Sequence, residues 1–392
     1  MSLRPLVFAL LALAAAAVHG QSPKAPVLIG LDAEFGHTTS TSDDAIRMGM
    51  LTAIDEINAA GGVFNGRPLQ LVERDNRSVP VRGRDNFNEL AAMPDLVAVF
   101  TGKFSSVAIE QAPMAEALKL PLMMPWASAD EIVSEVPAGS YAFRLSMRNG
   151  WAIPTMMAYL QKRGIARVGV MLSMGAAGRS NEAQVERHTQ AGRAPKVVGI
   201  QFYSYGAKSI APQYQKLVAA GAQAIFFAGN EVEGALLVRE IAALPAAQRL
   251  PVISQWGVTG GDFVELCGEA LRAVDFAVVQ TFTFNGRRDA RAAAVVARAE
   301  KLFGFKGASR IPSQHGFAQA YDLTHILARA VRLAKSTERA DVRAALERVV
   351  NYDGLVDRFP APFTANRHEA LASRHVFIGR FAPDGTIMRL GH

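Results

Sequence analysis

The side chains best placed to do chemistry are hydroxyls that precede amphipathic runs. Thr39, Ser40, Thr41 and Ser42 lead into one such run, Ser105 and Ser106 into a second, and Ser128, in S-A-D-E, into a third. Each hydroxyl would lie beside unpaired backbone N–H groups and the positive end of a helix dipole, a setting suited to a carboxylate or another anion. The same residues can act as helix caps, and Ser128 with Glu131 matches the S-x-x-E capping box. A capping hydroxyl can also face a ligand, and three such loops on one sheet edge favour that second role.

Signatures of catalysis are missing from the sequence. It contains no G-x-x-x-x-G-K-[ST], no G-x-S-x-G and no H-E-x-x-H. The GAAGRS segment at Gly175–Ser180 reads as a plain strand-to-helix loop. His315 and His325, ten residues apart, are too distant to share a metal and read as packed or solvated histidines. Asp43 and Asp44 read as a negatively charged first helical turn. No enzyme activity, metal or cofactor is expected.

Short apolar runs alternating with longer amphipathic ones predict the elements that position these loops, as βαβ units around parallel sheets. Strands are expected at Val27–Leu31, Leu69–Glu73, Leu96–Thr101 and Leu120–Met124, with helices after the first, third and fourth. Ile46, Met50, Ala53, Ile54 and Ile57 recur at helical spacing, and Gly61-Gly62 stops that helix. The pattern restarts after Arg144 with a helix at Trp151–Arg163. Further strands follow at Arg167–Leu172, Val197–Phe202, Ala224–Ala228, Val252–Ser254 and Phe276–Thr281. The last third offers helices at Ala290–Phe303, Gly316–Ala334 and Ala340–Val350, then β-like runs at His375–Phe381 and Thr386–Leu390.

Composition limits the partners and the compartment. The 392 residues suffice for two domains. Lys and Arg (42) exceed Asp and Glu (35) but are spread along the chain, without the dense basic block of a nucleic-acid binder. Residues 1–20 read as a secretory signal peptide cleaved before Gln21, because the apolar run Leu6–Val18 is shorter than the ~20 residues that span a membrane. Cys267 is the one cysteine, so no internal disulfide can form, and a buried bystander thiol is its expected state. The mature chain is expected to be soluble in a bacterial periplasm.

Several segments resemble the branched-chain amino-acid-binding (Leu/Ile/Val-binding) type of periplasmic binding protein, the type I solute receptors of ABC transporters. They are the strand VLIGL, the helix end I-N-A-A-G-G, the turn N-G-R-P-L-Q-L with Asp75 after it, S-S-V-A-I-E-Q-A-P, K-L-P-L-M-M-P-W-A-S and H-G-F-A-Q-A-Y-D-L. The resemblance covers essentially the whole mature chain. It implies an α/β fold of two Rossmann-like lobes joined by three crossing segments, near Phe143-Arg144, Val279-Gln280 and Asp357–Phe359. The first lobe would comprise residues 24–143 plus 280–357, the second 144–279 plus 358–392.

The resemblance also implies site residues. The family's carboxylate-holding positions match Ser105 or Ser106 and the segment Trp126, Ala127 and Ser128, while an aromatic of the first loop aligns with Ser42. In the second lobe two pocket tyrosines align with Ala177 and Asn230, and the ammonium-binding acid aligns with Trp256. Glu231 or Glu233 could replace that acid, although a solvated helix start accounts for both. A tryptophan cannot neutralise a buried ammonium as a carboxylate does, so the expected solute is a small carboxylate, amino-acid-like or with an apolar or aromatic body between Trp126 and Trp256. The implied partner is an ABC transporter permease, the chain itself being a monomer. The same fold also serves as a sensing module for a membrane kinase or regulator.

Overall fold

The structure is a computed structural model that describes residues 24–36, 41–133 and 139–391. The expected signal peptide lies outside the described residues, as do Thr39 and Ser40.

Two α/β lobes account for the described chain. The first begins with β1 (Val27–Ala33), α1 (Thr41–Ala59), β2 (Leu69–Asp75), α2 (Pro80–Ala91), β3 (Leu96–Thr101), α3 (Ser105–Ala117), β4 (Leu122–Met124) and β5 (Ala142–Arg144). Its sheet has the order β2-β1-β3-β4-β5 and is parallel throughout. The second lobe follows with α4 (Asn149–Lys162), β6 (Arg167–Ser173), α5 (Ala176–Gln190), β7 (Lys196–Tyr203), α6 (Ala211–Ala219), β8 (Ala224–Ala228), α7 (Glu231–Ala242), β9 (Val252–Ser254), α8 (Phe263–Cys267) and β10 (Phe276–Gln280). The chain then returns to the first lobe as α9 (Ala290–Phe303), α10 (Gln314–Ala334), α11 (Arg339–Leu346) and the small hairpin β11 (Tyr352–Asp353) and β12 (Arg358–Phe359). It ends as β13 (Phe377–Phe381) and β14 (Ile387–Arg389), which extend the second sheet antiparallel in the order β14-β13-β10-β9-β8-β6-β7.

Helices on both sheet faces explain why the strands read as unbroken apolar runs: every residue of β3 and β8 is buried. Helices α1 and α10 pack closely because α1 carries Gly49 there, where a Cβ would collide with the Phe317 carbonyl. Gly61 and Gly62 end α1 with φ of 96° and 77°, the left-handed angles expected of them.

Three features differ from the sequence expectation. Helix α2 escapes the apolar-period reading because it buries only Gly83, Phe87 and Leu90; its start is marked by Pro80 instead. The helix expected after S-A-D-E is, among the described residues, a single 3₁₀ turn at Asp130–Ile132. Here the Asp130 carboxylate accepts from the Gly150 N–H, and the buried Arg144 guanidinium donates to the Ala129 carbonyl at 2.7 Å, so tertiary partners replace helical ones. The third passage between lobes also falls later than Asp357–Phe359. Phe359, Phe363, Ala370 and Leu371 pack into the first lobe's core, and Val376 is the next residue to enter the second. Arg144 holds the intervening strap in place, its N–H donating to His368 O, its carbonyl accepting from Ala370 N and its guanidinium pairing with Glu369.

Candidate functional site

Ligands of open parallel sheets bind beyond the carboxyl ends of the strands, and here the two sheets present those ends to each other. Loops after β3 and β4 form one wall and loops after β6, β8 and β9 the other, enclosing a cavity of about 60 Å³. That space holds roughly four to six water-sized sites.

The first wall is built on Lys103, Phe104 and Ser105 at the β3–α3 junction and on Trp126 and Ser128 after β4. Ser105 does not cap α3; its Oγ accepts the N–H groups of Ser128 and Ala129, both at 3.2 Å, and so ties the two loops together. Lys103 is nearly buried, with Nζ 3.8 Å from Glu34 and 3.9 Å from Glu231, the latter across the cleft. Asp43 accepts from the backbone N–H groups of Lys103 at 2.7 Å and Glu34 at 3.0 Å, and burial pushes its pKa up to about 7. Residue 102 must be glycine, because a Cβ there would lie 2.6 Å from Asp43 Oδ1.

The second wall carries Ser173, Asn181, Asn230, Gln255 and Trp256. Trp126 and Trp256 approach to 5.6 Å between ring centroids, and His315, at the start of α10, lies 4.2 Å from the first and 4.5 Å from the second. Burial without a charged partner holds His315 neutral, its pKa lowered to about 3. At the rim Phe104 meets Tyr205 edge-on at 6.5 Å, and the Tyr205 hydroxyl donates to Ser173 Oγ at 3.0 Å.

Six of the residues expected from sequence line this cavity: Ser105, Trp126, Ser128, Ala177, Asn230 and Trp256. Ser42 and Glu231 stand outside the lining, on the seam between lobes, where a Cβ on Gly260 would lie 2.5 Å from both. Glu231 is therefore not at a solvated helix start. It is 1 % exposed and burial raises its pKa, while Glu233 accepts from the Gly206 N–H. Asp43 and Asp44 fall in the first turn of α1, as expected, with Asp43 buried. Ala127 belongs to the first lobe's core, and Ser106 lines a separate recess with Pro80, Glu110 and Arg179. Cys267 is a buried thiol, its pKa pushed up to about 12.

Sequence reasoning missed Lys103, Gln255, Asn149, Asn181 and His315. A lysine directly after a buried strand, just ahead of the S-S pair, was the available signal for Lys103. The others sit in helices or turns, and only His315 falls in a segment noted above, H-G-F-A-Q-A-Y-D-L. Among the described residues no cluster of His, Cys, Asp or Glu could hold a metal, and no helix is long and apolar enough to cross a membrane.

Comparison with known proteins agrees with this architecture. The Leu/Ile/Val-binding protein homolog 1 of Brucella abortus is 24% identical over 348 residues, 88% of either chain. A periplasmic binding protein type 1 from Bordetella pertussis superposes with a TM-score of 0.81 at 21% identity, covering 93% of this chain and 99% of that one. A solute-binding protein of an ABC transporter from R. palustris, solved with benzoate, superposes with a TM-score of 0.76 at 18% identity, covering 94% and 96%. These relatives are binding proteins rather than enzymes. With the sequence profile of the periplasmic binding proteins matching residues 12–386, and two facing α/β lobes around a lined cleft, the chain belongs to the periplasmic binding protein family, the solute-binding components of ABC transporters.

Proposed function

We propose that this protein captures a small organic carboxylate in the cleft between its lobes, in the periplasm, and delivers it to the permease of an ABC transporter. The observation that carries the carboxylate is the first wall: Lys103 is the charged side chain lining the cavity, beside the Ser128 hydroxyl and the amino-terminal turn of α3. The helix dipole and the hydroxyl favour an anion there, with Lys103, which also faces Glu34 and Glu231, as the cation beside them. The opposite wall presents Trp256 where an acid would be needed for an ammonium, and Trp126 and Trp256 both line the cavity. The relative named for leucine, isoleucine and valine and the neighbour solved with benzoate both point to carboxylates as solutes of such clefts.

Native mass spectrometry of the purified protein, followed by titration calorimetry with a panel of carboxylates, tests this reading. Binding of at least one carboxylate is expected, weakened ten- to a hundred-fold by Lys103→Met, the range of a charge-assisted hydrogen bond. A broad panel with no carboxylate ligand, or undiminished affinity in the variant, overturns it.

A further inference from the structure

One carbonyl decides the orientation of an amide network in the second wall. The Ala177 carbonyl can only accept, so the Asn181 atom 2.8 Å from it is Nδ2. Asn181 Oδ1 then faces Gln255, which must present Nε2 to it at 2.9 Å. The same Nε2 reaches Asn149 Oδ1 at 3.2 Å, with Asn149 itself turned by its bond to Ser180 at 3.0 Å. Gln255 is thus locked, and its Oε1 is left buried and without a partner on a residue that lines the cavity and is 5% exposed.

We propose that Gln255 Oε1 is a specificity-determining acceptor for a hydroxyl on the solute, so that the preferred substrates are hydroxylated carboxylates rather than amino acids. The proposal rests on the carboxylate reading above and adds the group at the solute's other end. A buried acceptor without a donor is costly, and a solute hydroxyl removes that cost with a single bond. An ammonium requires more: it brings three donors and a full charge, whereas the Asn149 and Asn181 oxygens are already engaged by Gln255 and the Ser173 hydroxyl by Tyr205. Neutral amide oxygens, those of Gln255 and Asn230, suit O–H groups and leave an ammonium without a counter-charge.

The test is titration calorimetry with solutes matched in skeleton: propanoate, lactate and alanine; 3-methylbutanoate, 2-hydroxy-3-methylbutanoate and valine; benzoate with 3- and 4-hydroxybenzoate. In at least one skeleton the hydroxy acid is expected to bind about tenfold or more tightly than its parent, with no comparable gain for the amino acid. In Gln255→Leu the ratio of hydroxy-acid to parent-acid affinity is expected to fall about tenfold or more, apart from any change common to both acids. Gln255→Met, nearly equal in length and without the acceptor, is expected to lose the same advantage and serves alone if the leucine variant does not fold. Equal affinity of hydroxy and parent acids in every skeleton, an amino acid as the tightest ligand, or an advantage that survives both variants overturns the proposal while leaving the carboxylate reading intact. Failure of every compound to bind overturns the carboxylate reading and the proposal with it.

Discussion

His315 shows how a residue without a charged partner governs behaviour through burial alone. Its ring lies between Trp126 and Trp256, with Ser313 Oγ at 3.2 Å and Thr259 Oγ1 at 3.4 Å from Nδ1. The folded pKa, about 3, is far below the ordinary 6.5. The neutral ring's contribution is therefore complete above pH 6.5 and is lost as pH falls from there toward 3, by up to about 1.4 kcal/mol per pH unit. Asp43, raised to about 7, and Asp32, raised to about 6, act in the opposite sense: their contributions are complete at low pH and lost as pH rises. A variant isolates the histidine. Thermal unfolding of His315→Gln between pH 7 and 4 should fall less steeply than that of the parent, and parallel slopes would refute the assignment. The H-G-F-A-Q-A-Y-D-L segment marks the position of His315 in sequence but not its burial, since the rings that enclose it come from positions 126 and 256.

At the scale of elements, α10 brings His315 to the cleft, and its third residue sets how closely it approaches the loop after β4. A Cβ on Gly316 would lie 2.7 Å from Trp126 Cζ3 and 2.8 Å from Cε3. Replacing a helical glycine by alanine normally stabilises by about 1 kcal/mol. Here the methyl meets a ring packed on its other side by Trp256 and His315, and overpacking of this kind costs about 1–3 kcal/mol. Gly316→Ala should accordingly lower Tm and alter solute affinity through a displaced Trp126; a raised Tm with unchanged binding would show that the ring yields freely. The strands β3, β8 and β9 were legible to the residue because parallel strands buried on both faces leave a continuous apolar record. Helix α2 was not, since three buried positions leave too little of one.

The whole molecule is two cores that meet along a polar seam. Thr41 Oγ1, Ser42 Oγ and His315 Nε2 contribute buried atoms without hydrogen bonds there, each at a cost of about 1–3 kcal/mol relative to hydration. Parting the lobes returns these groups to water, so closure should depend on the solute. At a free concentration a hundred times Kd, a solute that binds only the folded chain adds about 2.7 kcal/mol of stability. A corresponding rise in Tm, with a smaller radius of gyration by X-ray scattering in the complex than in the free protein, is expected. An unchanged radius would mean that the lobes do not part. Most of the order of strands and helices, the tandem α/β halves and two of the loops that carry the cleft were legible in the sequence, because burial and turn formation are local and leave periodic traces, whereas α2 and the turn after β4 were not. Which hydroxyls reach the cavity, the exclusion of Ser106 and Ala127 from it, the pairing of Lys103 with Glu231, and the locking of Gln255 were decided only in the tertiary structure. Those contacts join residues tens to hundreds of positions apart, and their energies come from excluding water between surfaces that no local segment contains.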